Sequence, residues 1–383
     1  MPIESGRSGR SGRSGRSGRS GRSGRSGREA YDGDADHAGG GASLTMSSAL
    51  ISAREGTVDT ETIIGKGGRE NALPESERFL RLSGLERSVV TQSELCEGLM
   101  VAVDETHADT VHVTTRARDA KGKEHVATVF TLQRPSLDDF RRDVSLVANY
   151  ADLRNDRVEE IHLQIEDILT FFGVATPLHP GTYRWTLEMI EAAVEFATMV
   201  AQRVKLTLGA PRPELFSPLL QPMIQTPSHG SFPSGHSTQA FVVATLLSIL
   251  RNGAAAKSAP DATSQLYQIA ARIAVNRTVA GVHYPSDSAA GAMLGVSMAR
   301  LIVNRLTGTK DATHGFRFDG PKYSTPAGSG ASLSRDFYAA EFGALFEADD
   351  PATTPEADFL AYPAPNFSEL WEKARGEWDG VWG

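Results

Sequence analysis

The chain has 383 residues, 40% hydrophobic and 22% charged, which is enough apolar material for a sizeable core and too much for a disordered chain. Its formal charge of −8 argues against a nucleic-acid-binding body, the more so because residues 1–28 hold eight Arg and one Glu and leave the remainder more acidic still. A single cysteine, Cys96, excludes an internal disulfide and fits a reducing compartment.

Residues 5–28 are eight Ser-Gly-Arg triplets with no apolar side chain, which predicts a disordered basic tail able to make only weak contact with nucleic acid or an acidic surface. No apolar signal core or amphipathic transit pattern is present there, and the uncharged run from Ser237 to Leu250 is too short to span a bilayer. The expectation is a cytoplasmic protein that does not cross a membrane. Residues 29–134 read as an accessory segment. Its Gly65-Lys66-Gly67-Gly68 turn lacks the spacing of a phosphate loop, and Cys96 reads as a buried, inert thiol. Residues 99–103, 109–114 and 125–132 are β-branched and partly alternating, which predicts a small antiparallel sheet or hairpin. His107, His112 and His125 fall in this stretch without a supporting cysteine or carboxylate grouping, and read as solvated strand histidines rather than metal ligands.

After Pro135 the pattern turns helical. Ser136, with Asp138 and Asp139 behind it, reads as a cap and an acidic first turn, opening a helix over 136–153. Val158, Ile161, Ile165, Ile168 and Leu169 form an apolar stripe that predicts a second helix over 157–172. The third and longest covers 182–208, with Trp185, Met189, Ala193, Phe196, Val200 and Val204 on its core face. Gly209, Pro211 and Pro213 end it, which places Lys205 in its last turn and Arg212 in the extended segment beyond. A fourth helix starts after Ser234 and reaches about residue 250, and a fifth spans 265–279 with Arg277 near its end. Pro285 then opens a sixth, continuing to about residue 306, whose small residues at Ser288, Gly291, Gly295 and Ala299 imply close helix packing. Residues 311–383 read as an extension: irregular over 311–333, helix-like over 334–346, and a short amphipathic helix over 367–382. That last helix carries Trp371, Trp378 and Trp382, and its acidity favours folding back on the body over meeting anionic lipid.

Three stretches hold chemistry in a fixed order: Lys205 with Arg212-Pro213, then Thr226-Pro-Ser-His-Gly-Ser-Phe-Pro-Ser-Gly-His-Ser237, then Arg277, His283 and Asp287. Ser234 is a natural N-cap, so backbone N–H groups around Gly235 are free to point at a ligand. Lys205, Arg212 and Arg277 add three cations, which suits a phosphate-like trianion and exceeds what a carboxylate needs. Of the two histidines, one imidazole can attack a central atom while the other passes a proton to or from the apical oxygen. Asp287, four residues after His283, can keep one ring nitrogen as N–H so that the other presents its lone pair.

In combination the spacings K-x6-R-P, P-S-G-H and R-x5-H-x3-D resemble the superfamily that joins type-2 phosphatidic acid phosphatases, bacterial acid phosphatases and vanadium-dependent haloperoxidases, over roughly residues 140–305. The resemblance implies a mainly α protein, with residues 135–310 a helical bundle of the phosphatidic acid phosphatase/haloperoxidase type beside the small N-terminal antiparallel β element. It also implies roles. Lys205, Arg212, Ser234, Gly235 and Arg277 would bind the oxyanion, His283 would be the nucleophile or the ligand to vanadium, His236 the acid/base and Asp287 the group that orients His283. One position departs from the pattern: the third motif usually opens Ser-Arg and here opens Asn276-Arg277.

Two reactions fit these residues. A haloperoxidase would hold vanadate as its cofactor and oxidise halide, bromide or iodide in preference, with hydrogen peroxide. A soluble acid-phosphatase-like phosphomonoesterase, needing no cofactor, would form a phosphohistidine on His283. A purely phosphate-binding helper would need the cations but not the paired histidines and Asp287. His229 tips the reading toward the haloperoxidase, because the segment from Thr226 to His236 resembles vanadium bromoperoxidases, which carry a histidine there, and a further imidazole helps to deprotonate peroxide.

Overall fold

The computed structural model describes residues 44–57, 73–118, 121–252, 260–307, 313–325 and 334–380. The Ser-Gly-Arg tail, the Gly65–Gly68 turn and Trp382 lie outside the described residues. The fold is mainly α, with one mixed sheet.

Three short helices lead in: α1 (Leu44–Thr57), α2 (Glu75–Leu80) and α3 (Gly84–Cys96). Where the sequence alternates, β1 (Met100–Val103), β2 (Thr110–Arg118) and β3 (Glu124–Gln133) pair antiparallel in order. The sheet does not stop there. Strands β4 (Thr313–Asp319), in the stretch expected to be irregular, and β5 (Thr353–Phe359), in a stretch of the extension given no element, complete five strands, with β4 parallel to β3 and β5 antiparallel to β4. The small N-terminal β element is therefore corrected to a mixed sheet drawn from both ends of the chain. The physical reason is that β3 buries Phe130 and Leu132, so its far edge must be covered, and Phe316 and Phe318 of β4 pair with those two residues.

The helices over 136–172 are more broken than the apolar stripe predicts. Ser136 and Asp139 form the expected capping box at the start of α4 (Leu137–Asn149). A single 3₁₀ turn joins α4 to α5 (Arg154–Glu166), and Asp167 then breaks the run, its carboxylate accepting from the backbone N–H groups of Leu169 and Thr170 at the start of the one-turn helix α6 (Leu169–Phe172). The long helix α7 (Arg184–Leu208) buries Met189, Ala193, Phe196, Val200 and Val204 as its stripe requires, and ends at Gly209 in the left-handed region.

Helix α8 (Gly235–Asn252) sits at the centre of the body, packed on α7, α9 (Gln265–Val279) and α10 (Pro285–Thr307). The small residues of α10 act as the sequence implied. A Cβ on Gly291 would stand 2.5 Å from the Ser234 carbonyl oxygen, and one on Gly295 would stand 2.5 Å from that of Thr238. At these two points the backbones of α8 and α10 touch.

Downstream come α11 (Gly320–Ser324), α12 (Ala339–Ala344) and α13 (Pro365–Gly376). The C-terminal segment folds back on the body, as expected from its acidity. Glu377 accepts from the Trp185 and Thr186 N–H groups at the start of α7, each at 2.8 Å, where the helix dipole favours a carboxylate. Trp378 donates its indole N–H to Thr186 and packs its ring on Tyr183.

Gly295→Ala lies away from the charged cluster and forces apart backbones that are already in contact. It should lower stability by about 1–3 kcal/mol, the range for overpacking a filled core, measured as a shift of the urea midpoint.

Candidate active site

The cluster forms where the ends of four helices meet. Lys205, in the last turn of α7, points its ammonium at the carbonyls of Gly230 and Ser231, at 2.9 and 2.8 Å. Arg212, just past that helix, donates to the carbonyls of His229 (3.1 Å) and Val282 (2.8 Å). Arg277, in the last turn of α9, donates through one terminal nitrogen to the Ile161 carbonyl and to the Gln164 side-chain oxygen, while its Nε and other terminal nitrogen are buried without a partner among the described residues. These three cations expose only 1%, 4% and 1% of their surface. Burial depresses all three, Lys205 well below its usual value and Arg277 to about 9.

The acid and its imidazole come from the start of α10. Pro285 occupies its first turn, and Asp287 in the same turn accepts the Tyr284 N–H and, at 2.8 Å, the Nδ1–H of His283. That bond leaves the His283 Nε2 with its lone pair, 3.1 Å from an Arg212 terminal nitrogen. Burial pushes the Asp287 carboxyl up to about 7, opposed by the Tyr284 N–H and by the charges of Lys205 and Arg212. Burial and then Arg212 hold His283 well below the usual imidazole value. Ser234 caps α8 by accepting from the Ser237 N–H, and donates its own N–H to the Asp287 carbonyl at 2.8 Å, so the N-termini of α8 and α10 lie side by side. The N–H groups of Gly235 and His236, first in α8, have no acceptor within the helix.

His236 donates Nε2–H to the Gln164 backbone carbonyl at 3.0 Å, which leaves Nδ1 as the acceptor. Burial and Arg277 keep this ring neutral. His229 places Nδ1 at 3.1 Å from both an Arg212 terminal nitrogen and the Gly230 carbonyl, and one ring nitrogen can serve only one of these roles at a time. A cavity of about 60 Å³ is lined by Arg212, His229, Gly235, His236, Arg277 and His283, with Ile224, Pro227 and Val282 as apolar wall. Lys205, Ser234 and Asp287 stand behind that lining.

The family model described as the PAP2 superfamily matches residues 188–309, the segment that carries every one of these charged and imidazole groups. Residues 188–309 are thus a PAP2-superfamily segment of the chain. No curated protein matches the chain. Among the described residues no helix is long and apolar enough to cross a membrane, although the superfamily includes lipid phosphatases.

All nine residues singled out from the PAP2-type motifs therefore meet in one place. What the motifs did not reveal is the support that α5, ahead of the PAP2 segment, gives to two of these residues. Gln164 is fully buried and binds His236 through its backbone and Arg277 through its side chain. The only signal in the sequence is a lone polar residue flanked by Ile161, Ile165 and Ile168 on an otherwise apolar stripe. Asn276, the position that departs from the motif, donates to Gln164 and Glu160 and accepts from Arg157. The strand histidines lie elsewhere: His112 joins Asp104 to Thr131, and among the described residues no group of three His, Cys, Asp or Glu can hold a metal ion. Cys96 is half-buried rather than buried, and desolvation pushes its thiol up.

The depressed histidines set a pH dependence. His229 is pushed down to about 4 by burial and then by Lys205, so between its unfolded value near ~6.5 and 4 only the unfolded chain takes up its proton. That contribution is complete above ~6.5 and is lost as pH falls. Asp287, being raised, has the opposite sign: its contribution is complete below ~3.9 and is lost as pH rises through about 7, offsetting part of the histidine effect. The urea midpoint should fall between pH 7 and pH 4.5, and fall less steeply in His229→Gln. Parallel slopes in the two proteins would remove His229 from this linkage.

Proposed function

We propose that the chain is a vanadate-dependent haloperoxidase-like enzyme that oxidises bromide or iodide with hydrogen peroxide. The observation that carries the reading is the pair of unpartnered guanidinium nitrogens on buried Arg277, set in a cavity with neutral His236 and His283 and a further imidazole, His229. Two donor nitrogens left unmet on a buried cation suit an oxyanion, and a ring nitrogen that keeps its lone pair suits a bond to that anion's central atom. The donor set thus fits vanadate, which when bound supplies an electrophilic centre that activates peroxide toward halide. Phosphate shares its shape.

In this reading residues 135–310 are the catalytic unit, a helical bundle of the phosphatase/haloperoxidase type. Arg212, Arg277 and the Gly235 N–H hold the anion's oxygens, with Lys205 adding its charge and Ser234 fixing the start of α8 from behind the cavity lining rather than within it. His283 offers Nε2 to the central atom, and Asp287 keeps the proton on Nδ1. His236 exchanges a proton at Nδ1, because Gln164 holds its Nε2–H. His229, with Nδ1–H given to the Gly230 carbonyl, has Nε2 free to take a proton from incoming peroxide. Overall, hydrogen peroxide, halide and one proton become hypohalous acid and water, the halide losing two electrons to the O–O bond.

A phosphomonoesterase on the same residues would use His283 Nε2 against phosphorus and His236 for the leaving oxygen, with no proton for His229 to move. Side-by-side assays separate the two. Protein loaded with vanadate and given peroxide and bromide should brominate a dye, and His229→Ala should cut that rate by about a hundredfold, within the range for loss of a general base, with little effect on p-nitrophenyl phosphate hydrolysis. Brisk hydrolysis without bromination, indifferent to His229, would sink the haloperoxidase reading. Arg277→Ala should weaken phosphate and vanadate alike by about 1.5–3 kcal/mol, read by calorimetry. His283→Ala should abolish turnover, whereas Asp287→Asn should leave part of it.

A further inference from the structure

Helix α5 lies outside the matched family segment, yet it contributes Gln164 to the site. The contact with His236 follows from helix geometry: α5 ends at Glu166, so the Gln164 carbonyl is among those with no partner inside the helix, and it takes the His236 Nε2–H. The side chain does something separate. Its Oε1 accepts from Arg277 and from Asn276, both at 3.0 Å, while its own amide nitrogen is buried without a partner.

A buried arginine ordinarily meets a carboxylate, and one is near. Glu160, one turn earlier on α5, points instead at Arg272 and Arg157 and accepts from Asn276. Among the described residues no carboxylate makes an ion pair with Arg277, and burial lowers its pKa to about 9. Asn276 completes the separation by spanning Glu160 and the Gln164 amide. Arg277 thus keeps a positive charge on the cavity lining with no carboxylate paired to it, whereas Asp287 and Glu214 offset part of the charge of Arg212.

We propose that Gln164 is a specificity-determining residue: by holding Arg277 with a neutral amide where a glutamate of the same size would fit, it sets the pocket to select doubly charged tetrahedral anions over singly charged ones. This rests on the oxyanion reading of the site given above. An added unit charge near the pocket acts twice as strongly on a dianion as on a monoanion of the same shape, so the residue at 164 governs charge preference without touching shape.

The test compares sulfate and perchlorate, tetrahedral anions of two charges and one, by calorimetry on the full chain at neutral pH. The native protein should bind sulfate at least a hundredfold more tightly than perchlorate. Gln164→Glu should shrink that ratio at least tenfold, chiefly by weakening sulfate, whereas Gln164→Met, of similar size and no charge, should preserve it. Arg277→Gln should shrink the ratio as Gln164→Glu does, because each lowers the charge beside the cavity by one unit. Circular dichroism reports whether each variant folds. Should Gln164→Glu fail to fold, the contrast between Arg277→Gln and Gln164→Met still decides the matter, because charge control requires the ratio to fall in the first and survive in the second. A native protein that binds neither phosphate nor sulfate overturns the oxyanion reading and this inference with it. A native protein that binds both, with an unchanged ratio in folded Gln164→Glu or an equal loss in Gln164→Met, overturns this inference alone.

Discussion

Lys205, Arg212 and Arg277 are each taken out of water, and the fold around them is arranged to make that possible. Removing an ammonium or guanidinium group from solvent costs several kcal/mol even after relaxation, and like charges close together add to it. The chain meets that cost mainly with backbone carbonyls: Gly230 and Ser231 for Lys205, His229 and Val282 for Arg212, Ile161 for Arg277. Carbonyls solvate a cation without neutralising it. The site therefore keeps its positive potential, and an anion is the group that completes it.

Holding those carbonyls in place demands a rigid frame, which the contact between α8 and α10 supplies. Gly291 and Gly295 let the two backbones touch, so the first turns of both helices sit level. The Ser234 N–H reaches the Asp287 carbonyl, and the Ser237 hydroxyl donates to the Ser288 backbone carbonyl at 2.6 Å. Two helix N-termini then face one small volume, one presenting free N–H groups and the other presenting His283 with its proton fixed by Asp287. A side chain at either glycine would part the helices and separate the anion donors from the nucleophile.

The outer elements close this frame. Glu377 and Trp378 tie the C-terminal segment to the start of α7, whose other end carries Lys205. On the far side β4 and β5 extend the sheet begun by β1 to β3, and Phe232, the residue before the Pro-Ser-Gly-His run, packs against Phe318 of β4 and Phe140 of α4. The charged loop is thus braced by apolar contacts from parts of the chain that hold no chemistry themselves.

Local signals in the sequence were enough to place the six central helices, the stop at Gly209 and Pro211, the cap at Ser234, and the nine charged, serine, glycine and imidazole positions of the site. Each of these depends on a residue's own chemistry or on neighbours within a turn or two, which a linear pattern records. Three features escaped that reading, two of them because only the tertiary structure decides them. Strands β4 and β5 form because β3 has a hydrophobic edge to cover, and the unpatterned stretch from 313 onward carries no alternation strong enough to announce it. The break at Asp167 arises because its carboxylate finds local N–H groups to cap, in competition with an apolar stripe that runs straight through. Gln164 joins the site because α5 packs on α9 and its end meets the first turn of α8, so that a polar residue unremarkable in the sequence contacts Arg277 and His236. Which atoms donate, which charge goes unbalanced and which ring nitrogen keeps its lone pair are properties of partners far apart in the chain, and only folding selects them.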